Sequence, residues 1–187
     1  MRTEVGLVVA ALDFAARRHS GQRRKGGDRA PYINHPVRVA YYLGVVAGIE
    51  DPELIAAAVL HDTVEDTNTG MDELRDVFGE RVASLVAEVT DDKSLARETR
   101  KELQIEHAPN VSVDAAQLKI ADKICNMEDL AETPPPDWSA ARRREYLAWS
   151  ERVVERLPYP RPELMAAYRR VLADAREKLA AEEAGVS

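Results

Sequence analysis

The sequence predicts an all-α protein, a bundle of helices folded as one compact domain, and three observations carry that prediction. Ala, Leu, Val, Arg and Glu dominate the composition while aromatic residues make up 5%, a balance that favours helix over sheet. Apolar residues recur at spacings of three and four along most of the chain, and no stretch alternates with the period of two that a half-buried strand requires. With 187 residues, 45% of them hydrophobic and 32% charged, the chain can bury a full core without staples. Neither of its proline-rich breaks is long enough to serve as a domain linker, so residues 1–187 are expected to form a single unit.

Composition also excludes. The net charge of −7 argues against general nucleic-acid binding, which wants a basic surface. No apolar stretch approaches the ~20 residues of a membrane span, and Met1-Arg2-Thr3-Glu4 leads into an amphipathic pattern, not a signal-peptide core. The single cysteine, Cys125, rules out an internal disulfide, fits a reducing cytosol, and reads as a small buried residue on a helix. A soluble, cytoplasmic protein is expected, with neither nucleic acid nor membrane as a partner. The pattern leaves open whether it is a homo-oligomer.

Taken in order, Val5 to His19 places Val8, Leu12 and Ala15 on one stripe and forms a first helix. Arg17, Arg18 and His19 near its end suit the negative pole of the helix dipole. The chain then changes character in G-Q-R-R-K-G-G-D-R-A-P-Y-I-N-H. Arg23, Arg24 and Lys25 beside two glycines make a basic loop in an otherwise acidic protein, either a solvated surface or a clamp for anions. Pro36 can open the next helix as its first residue, with His35 at the entrance and Val37, Ala40, Tyr41 and Val45 available to the core. Gly48 ends it.

Asp51-Pro52 restarts the chain as N-cap and first helical residue. Leu54, Ile55, Ala58 and Val59 then form a buried face that delivers L-H-D-T-V-E-D-T, Leu60 to Thr67, to the interior. If the helix runs on to Asp66, His61 and Glu65, and Asp62 and Asp66, share a face. Such crowded acids repel one another unless a cation sits among them. Thr69 to Asp72 matches a capping box for a helix Met71 to Phe78, which Gly79 ends. Glu80 to Thr90 is a further helix with Val82, Leu85, Val86 and Val89 inward. After the charged break Asp91-Asp92-Lys93, a polar helix carrying Arg97, Arg100 and Lys101 reaches His107, and Pro109 closes it.

Ser112 caps a helix on which Ala115, Leu118, Lys119, Asp122, Asn126 and Asp129 step by three and four. That polar row is out of place on a plain core helix, so Asp122 is either paired to Lys119 or Lys123, or a metal ligand. Pro134-Pro135-Pro136 is a rigid break. Asp137 or Ser139 then caps a helix through Leu157 that carries Trp138, Arg142, Tyr146 and Trp149, and a last helix runs from about Pro162 to Glu182.

Together His35, His61-Asp62 and Asp122 spell an H…HD…D pattern, and the chain resembles the HD-domain phosphohydrolases. The pieces A-A-R-R-H-S-G-Q-R-R-K, P-Y-I-N-H-P, A-A-A-V-L-H-D-T-V-E-D-T, V-T-D-D-K and L-K-I-A-D-K-I-C-N-M are similar to the hydrolase domain of the RelA/SpoT alarmone proteins. Among these the chain looks most like the small stand-alone hydrolases of the metazoan SpoT-homologue type, from about Leu12 to Arg176. The resemblance implies an HD-domain helical bundle with one divalent ion, usually Mn²⁺, held by His35, His61, Asp62 and Asp122. It implies that Glu65 and Asp66 activate and position the attacking water and that Asn126 holds water or substrate at the metal. It assigns the guanine nucleotide to Arg23, Arg24 and Lys25, with Arg97, Lys101, Arg142 and Tyr146 as further phosphate and ribose contacts. The reaction implied is release of the 3′-diphosphate from guanosine tetra- or pentaphosphate, giving GDP or GTP and pyrophosphate, which lowers alarmone levels in the stringent response. The alternative is removal of a 2′- or 3′-phosphate from another nucleotide such as NADPH. Synthetase and regulatory regions of the long relatives are not expected. The chain departs from many members at Glu128, where Arg or Lys is frequent, and at Gly26-Gly27.

Overall fold

The computed structural model describes residues 2–185, and among these no strand forms; a lone bridge joins Arg23 to Pro31. Ten α-helical segments follow in order: α1 Glu4–Arg18, α2 Asn34–Tyr41, α3 Pro52–Leu60, α4 Thr63–Asp66, α5 Met71–Phe78, α6 Glu80–Val89, α7 Arg97–His107, α8 Val113–Glu132, α9 Ala140–Val154 and α10 Pro162–Glu183. The all-α expectation holds. Among the described residues no helix is long and apolar enough to cross a membrane.

Two helices form the centre. α3 packs against α1, α2 and α6, and α8 packs against α10, α9, α2 and α6. From Ala56 to Leu60 every residue of α3 is fully buried, so the second half of that helix is apolar all round and sheathed on every side. α8 buries Leu118, Ile120, Ile124 and Met127, while Asp122 of its polar row faces His35 at the start of α2 and His61 at the end of α3. Side-chain caps fix the starts of the elements that aim the site. Thr3 accepts from the Gly6 N–H at 3.1 Å, Asp51 from Glu53 at 3.0 Å, Ser112 from Ala115 at 3.2 Å and Ser139 from Arg142 at 3.2 Å, each satisfying an N–H that the helix leaves unpaired.

Several boundaries differ from expectation. The helix starting at Pro52 stops at Leu60, turns through His61-Asp62 and restarts as α4. The Thr63 hydroxyl donates to the Leu60 carbonyl at 2.6 Å, taking the acceptor that a continuing helix would offer to Val64. α2 begins at Asn34, so His35 and Pro36 lie within its first turn, and it passes into a wide π turn at Tyr42–Val46. No capping box forms before α5: Gly70 precedes it without a side-chain cap, and the Thr69 hydroxyl pairs with that of Thr67 at 2.7 Å. Gly79, at φ 94°, makes the corner between α5 and α6, a backbone state that favours glycine. α9 ends at Val154, short of Leu157.

Candidate active site

The break after α3 determines what the site contains. It places His61 and Asp62 on a turn, opposite His35 in the first turn of α2 and Asp122 midway along α8. Ligand atoms of His35, His61 and Asp62 all lie within 4.8 Å of one another, a group that could hold a metal ion. Asp122 Oδ1 approaches His35 Nε2 at 3.2 Å and His61 Nε2 at 3.8 Å. Asp62 stands 3.2 Å from His61 and 3.6 Å from His35. The structure therefore brings together all four positions singled out in the sequence.

The donor set fits a divalent cation. The Ala58 carbonyl accepts from His61 Nδ1 at 2.8 Å, so the lone pair of the neutral ring is on Nε2, which is buried with no hydrogen-bond partner. A backbone carbonyl orienting the far nitrogen is the usual arrangement of a ligating histidine. Burial disfavours charge on both imidazoles, and at His35 burial wins and lowers its pKa. At His61 the neighbouring Asp62 and Asp122 outweigh burial and push it up to about 9. The carboxyls of Asp62 and Asp122 resist burial and stay well below the usual carboxylate range beside these imidazoles and Lys123. A positive charge belongs at this point, and a bound divalent ion would supply it.

Around the group runs a hydrogen-bond network. Tyr32 Oη lies 2.7 Å from Asp62 and 2.6 Å from Asp66. His19 stacks on the Tyr32 ring at 4.7 Å, and Gln22 donates to the Asp66 carbonyl at 2.7 Å. On the other side Asn126 donates to Asp122 Oδ1 at 2.6 Å, and Arg24 donates to Asn126 at 2.6 Å and to Asp129 at 2.7 Å. Arg24 therefore reaches the centre through Asn126, with its guanidinium already committed to the protein. Gly26 lets this loop close onto α8: a Cβ there would stand 2.5 Å from the Thr133 carbonyl oxygen.

A cavity of about 630 Å³ opens against this network. Its wall includes Asp66, Tyr32 and Asn126, and every residue expected to contact a substrate: Arg23, Arg24, Lys25, Arg97, Lys101, Arg142 and Tyr146. With Arg100 it carries seven cationic side chains against the carboxylates of Asp66, Asp91 and Asp129, in a chain whose net charge is −7. The metal-ligand candidates and Glu65 do not line that wall; Asp66 does. Trp138, Tyr146 and Trp149 form an aromatic row with ring spacings of 5.7 and 5.3 Å. Arg142 lies 4.3 Å over Trp138, and Lys123 4.6 Å over Trp149. Such a surface suits a polyanion that bears a flat aromatic base.

Some functional groups escaped sequence reasoning. The bridging role of Tyr32 depends on residues 30 and 34 positions away, and Trp138, Trp149 and Arg100 emerge as cavity walls only when α7 and α9 pack together. The polar row on α8 resolves into separate fates. Asp122 pairs with Lys123 at 3.2 Å as well as with the imidazoles, whereas buried Lys119 has no ion pair within 4 Å among the described residues. Burial and Lys123 hold its ammonium down to about 8. Glu128 does not face the cavity: it pairs with Arg38 at 3.2 Å and with the Tyr42 hydroxyl.

Residues 11–150 match the family model described as HD domain. Two curated relatives, from Xenopus tropicalis and Homo sapiens, are 47% and 49% identical over 157 residues, 84% of this chain and 88% of each relative. Both bear the name guanosine-3′,5′-bis(diphosphate) 3′-pyrophosphohydrolase MESH1. A solved structure of a metazoan SpoT orthologue, described as hydrolysing ppGpp with a role in starvation responses, superposes with a TM-score of 0.86 at 37% identity over 97% of both chains.

Proposed function

The chain belongs to the HD-domain family, among the small SpoT-type hydrolases, and from that premise we propose that it is a guanosine-3′,5′-bis(diphosphate) 3′-pyrophosphohydrolase dependent on Mn²⁺. One observation carries the reading: a His-His-Asp group able to hold a cation sits directly behind a cavity walled by cations and aromatic rings. A guanosine carrying two diphosphates matches that wall in charge and in its flat base. The relatives named for this activity support the same substrate.

His35, His61, Asp62 and Asp122 would hold one divalent ion, and mixed nitrogen and oxygen ligands suit Mn²⁺. When bound, the ion polarises a phosphoryl oxygen and lowers the pKa of a water. Asp66, the member of the acidic pair that faces the cavity, takes or orients the water's proton, with Tyr32 fixing its carboxylate. Glu65 stands behind it, where burial raises its pKa despite the hydrogen bond from the Asp91 N–H at 3.3 Å. Arg23, Lys25, Arg97, Lys101 and Arg142 offset the phosphate charge, and Tyr146 with Trp138 receives the flat groups. Asn126, held by Arg24, orients Asp122 and its neighbourhood. In-line attack at the phosphorus on the 3′ oxygen then expels GDP or GTP, and pyrophosphate leaves intact. A role in lowering alarmone levels during the stringent response follows from that chemistry, and the proposal takes residues 1–187 as a single functional domain.

Incubation of the Mn²⁺-loaded protein with guanosine tetraphosphate, resolved by anion exchange, tests the reading. GDP and pyrophosphate in equal amounts are expected. Faster release of orthophosphate from NADPH than of pyrophosphate from the alarmone would put the 2′-phosphatase activity in its place.

A further inference from the structure

The motif V-T-D-D-K, Val89 to Lys93, supplies none of the metal-ligand candidates, yet it folds directly over the acidic pair. It is the connection from α6 to α7. The Asp91 N–H donates to Glu65 Oε2 at 3.3 Å. The Lys93 ammonium forms an ion pair with Asp66 and stands 3.8 Å from Glu65. From the first turns of α7, Arg100 adds a guanidinium 3.7 Å from Glu65. One short segment thus directs an N–H and two cations at two adjacent carboxylates.

The two cations differ in where they stand. Arg100 lines the cavity wall and Lys93 does not. Lys93 approaches the acids from outside that wall, so a substrate in the cavity does not need to displace it. As a surface ion pair it would contribute little to stability, its side chain being 47% exposed. Its effect lies in direction. Asp66 is pulled between the Tyr32 hydroxyl on one side and the Lys93 ammonium on the other, and that leaves the carboxylate a single orientation along the cavity wall. Burial and the neighbouring Asp62, Asp91 and Asp66 penalise the ionised form of Glu65, and the Asp91 N–H offsets part of that penalty.

We propose that Lys93 is a positioning residue for hydrolysis, fixing the Glu65-Asp66 pair from behind so that Asp66 presents its carboxylate to the attacking water. This rests on the assignment of the pair under Proposed function. Lys93 touches neither the substrate nor the metal ligands; it acts through Asp66.

The test compares wild type, Lys93→Met and Lys93→Arg, each Mn²⁺-loaded, with metal content and kcat and KM for guanosine tetraphosphate measured in parallel. Lys93→Met should lower kcat by about tenfold or more, a fraction of what a general base contributes, with KM within about twofold of wild type and metal content unchanged. Lys93→Arg should restore most of the lost kcat, because it keeps a cation in reach of Asp66. A raised KM at unchanged kcat would make Lys93 a substrate contact and overturn the inference. Unchanged constants in both variants would return it to a solvated ion pair and overturn it equally, and so would loss of metal from Lys93→Met. Failure of the wild type itself to release pyrophosphate would refute the proposed function, a result distinct from each of these.

Discussion

At the scale of single residues, the site separates the candidate ligands of an ion from the groups that aim them, and the two kinds predict different losses. His61→Ala and Asp122→Ala each remove a ligand candidate and should abolish both turnover and tight metal binding; a variant that kept wild-type metal content and rate would disprove the ligand assignment. Asp66→Asn keeps size and backbone but removes the proton acceptor, and kcat should fall by about 100-fold or more with metal retained, as measured by steady-state kinetics and elemental analysis. Arg24 and Lys25, adjacent in sequence, should not behave alike. Lys25→Ala should raise KM alone. Arg24→Ala should also lower kcat, since Asn126, whose amide donates to Asp122, loses the guanidinium that holds its oxygen. Equal kcat in the two variants would show that the Arg24-Asn126 link does nothing for the chemistry. The basic pair was legible as an anion clamp; that one of its members is spent on Asp129 was not, because the partners lie over a hundred residues away.

Elements show most clearly where local reasoning succeeds and where it stops. The caps at Asp51, Ser112 and Ser139 were readable because each lies immediately before its helical run, Asp51 with a proline next to it. The polar row on α8 was readable because its spacing contradicts a core helix. The turn at His61-Asp62 was not: a threonine hydroxyl capturing one carbonyl decides it, and the pattern Pro52 to Asp66 continues through it. Asp51 offers a test of this level. It caps α3, the helix that carries His61 to the centre, and its carboxylate also meets Arg81, which reaches Glu53 at 2.9 Å and Asp114 at 2.9 Å. Asp51→Ala should cost about 1 kcal/mol, the range of a lost cap, or a fall of roughly 2–4 °C in Tm for a chain of this size. The bond from Arg81, helped by the Leu54 and Glu53 N–H groups, outweighs burial and holds the Asp51 pKa below its ordinary value. A depressed folded-state pKa means that the stabilisation is complete above about pH 4, the unfolded value, and is lost as pH falls through the folded one. Denaturant midpoints of variant and wild type should therefore converge in acid below that point. A gap that widened there would contradict the assignment.

Over the whole molecule, an acidic chain gathers seven cationic side chains on one wall and places behind it a group of acids and imidazoles that could hold a cation. α2, α3 and α8 supply the group, and the basic loop with α7 and α9 supplies the wall. The fold class could be read in advance from periodicity, and the four side chains that the fold brings together from the H…HD…D pattern. The aromatic row could not, because Trp138 meets Arg97, and Trp149 meets Lys101 and Lys123, only when α7, α8 and α9 come together. The arrangement makes one claim above the rest: water attacks phosphorus, and the bond that breaks joins that phosphorus to the 3′ oxygen. Single turnover of guanosine tetraphosphate by the Mn²⁺-loaded protein in ¹⁸O-labelled water, followed by mass spectrometry of both products, tests it most directly. The label should appear in pyrophosphate and be absent from GDP. Label in the GDP hydroxyl, or in released orthophosphate, would contradict it.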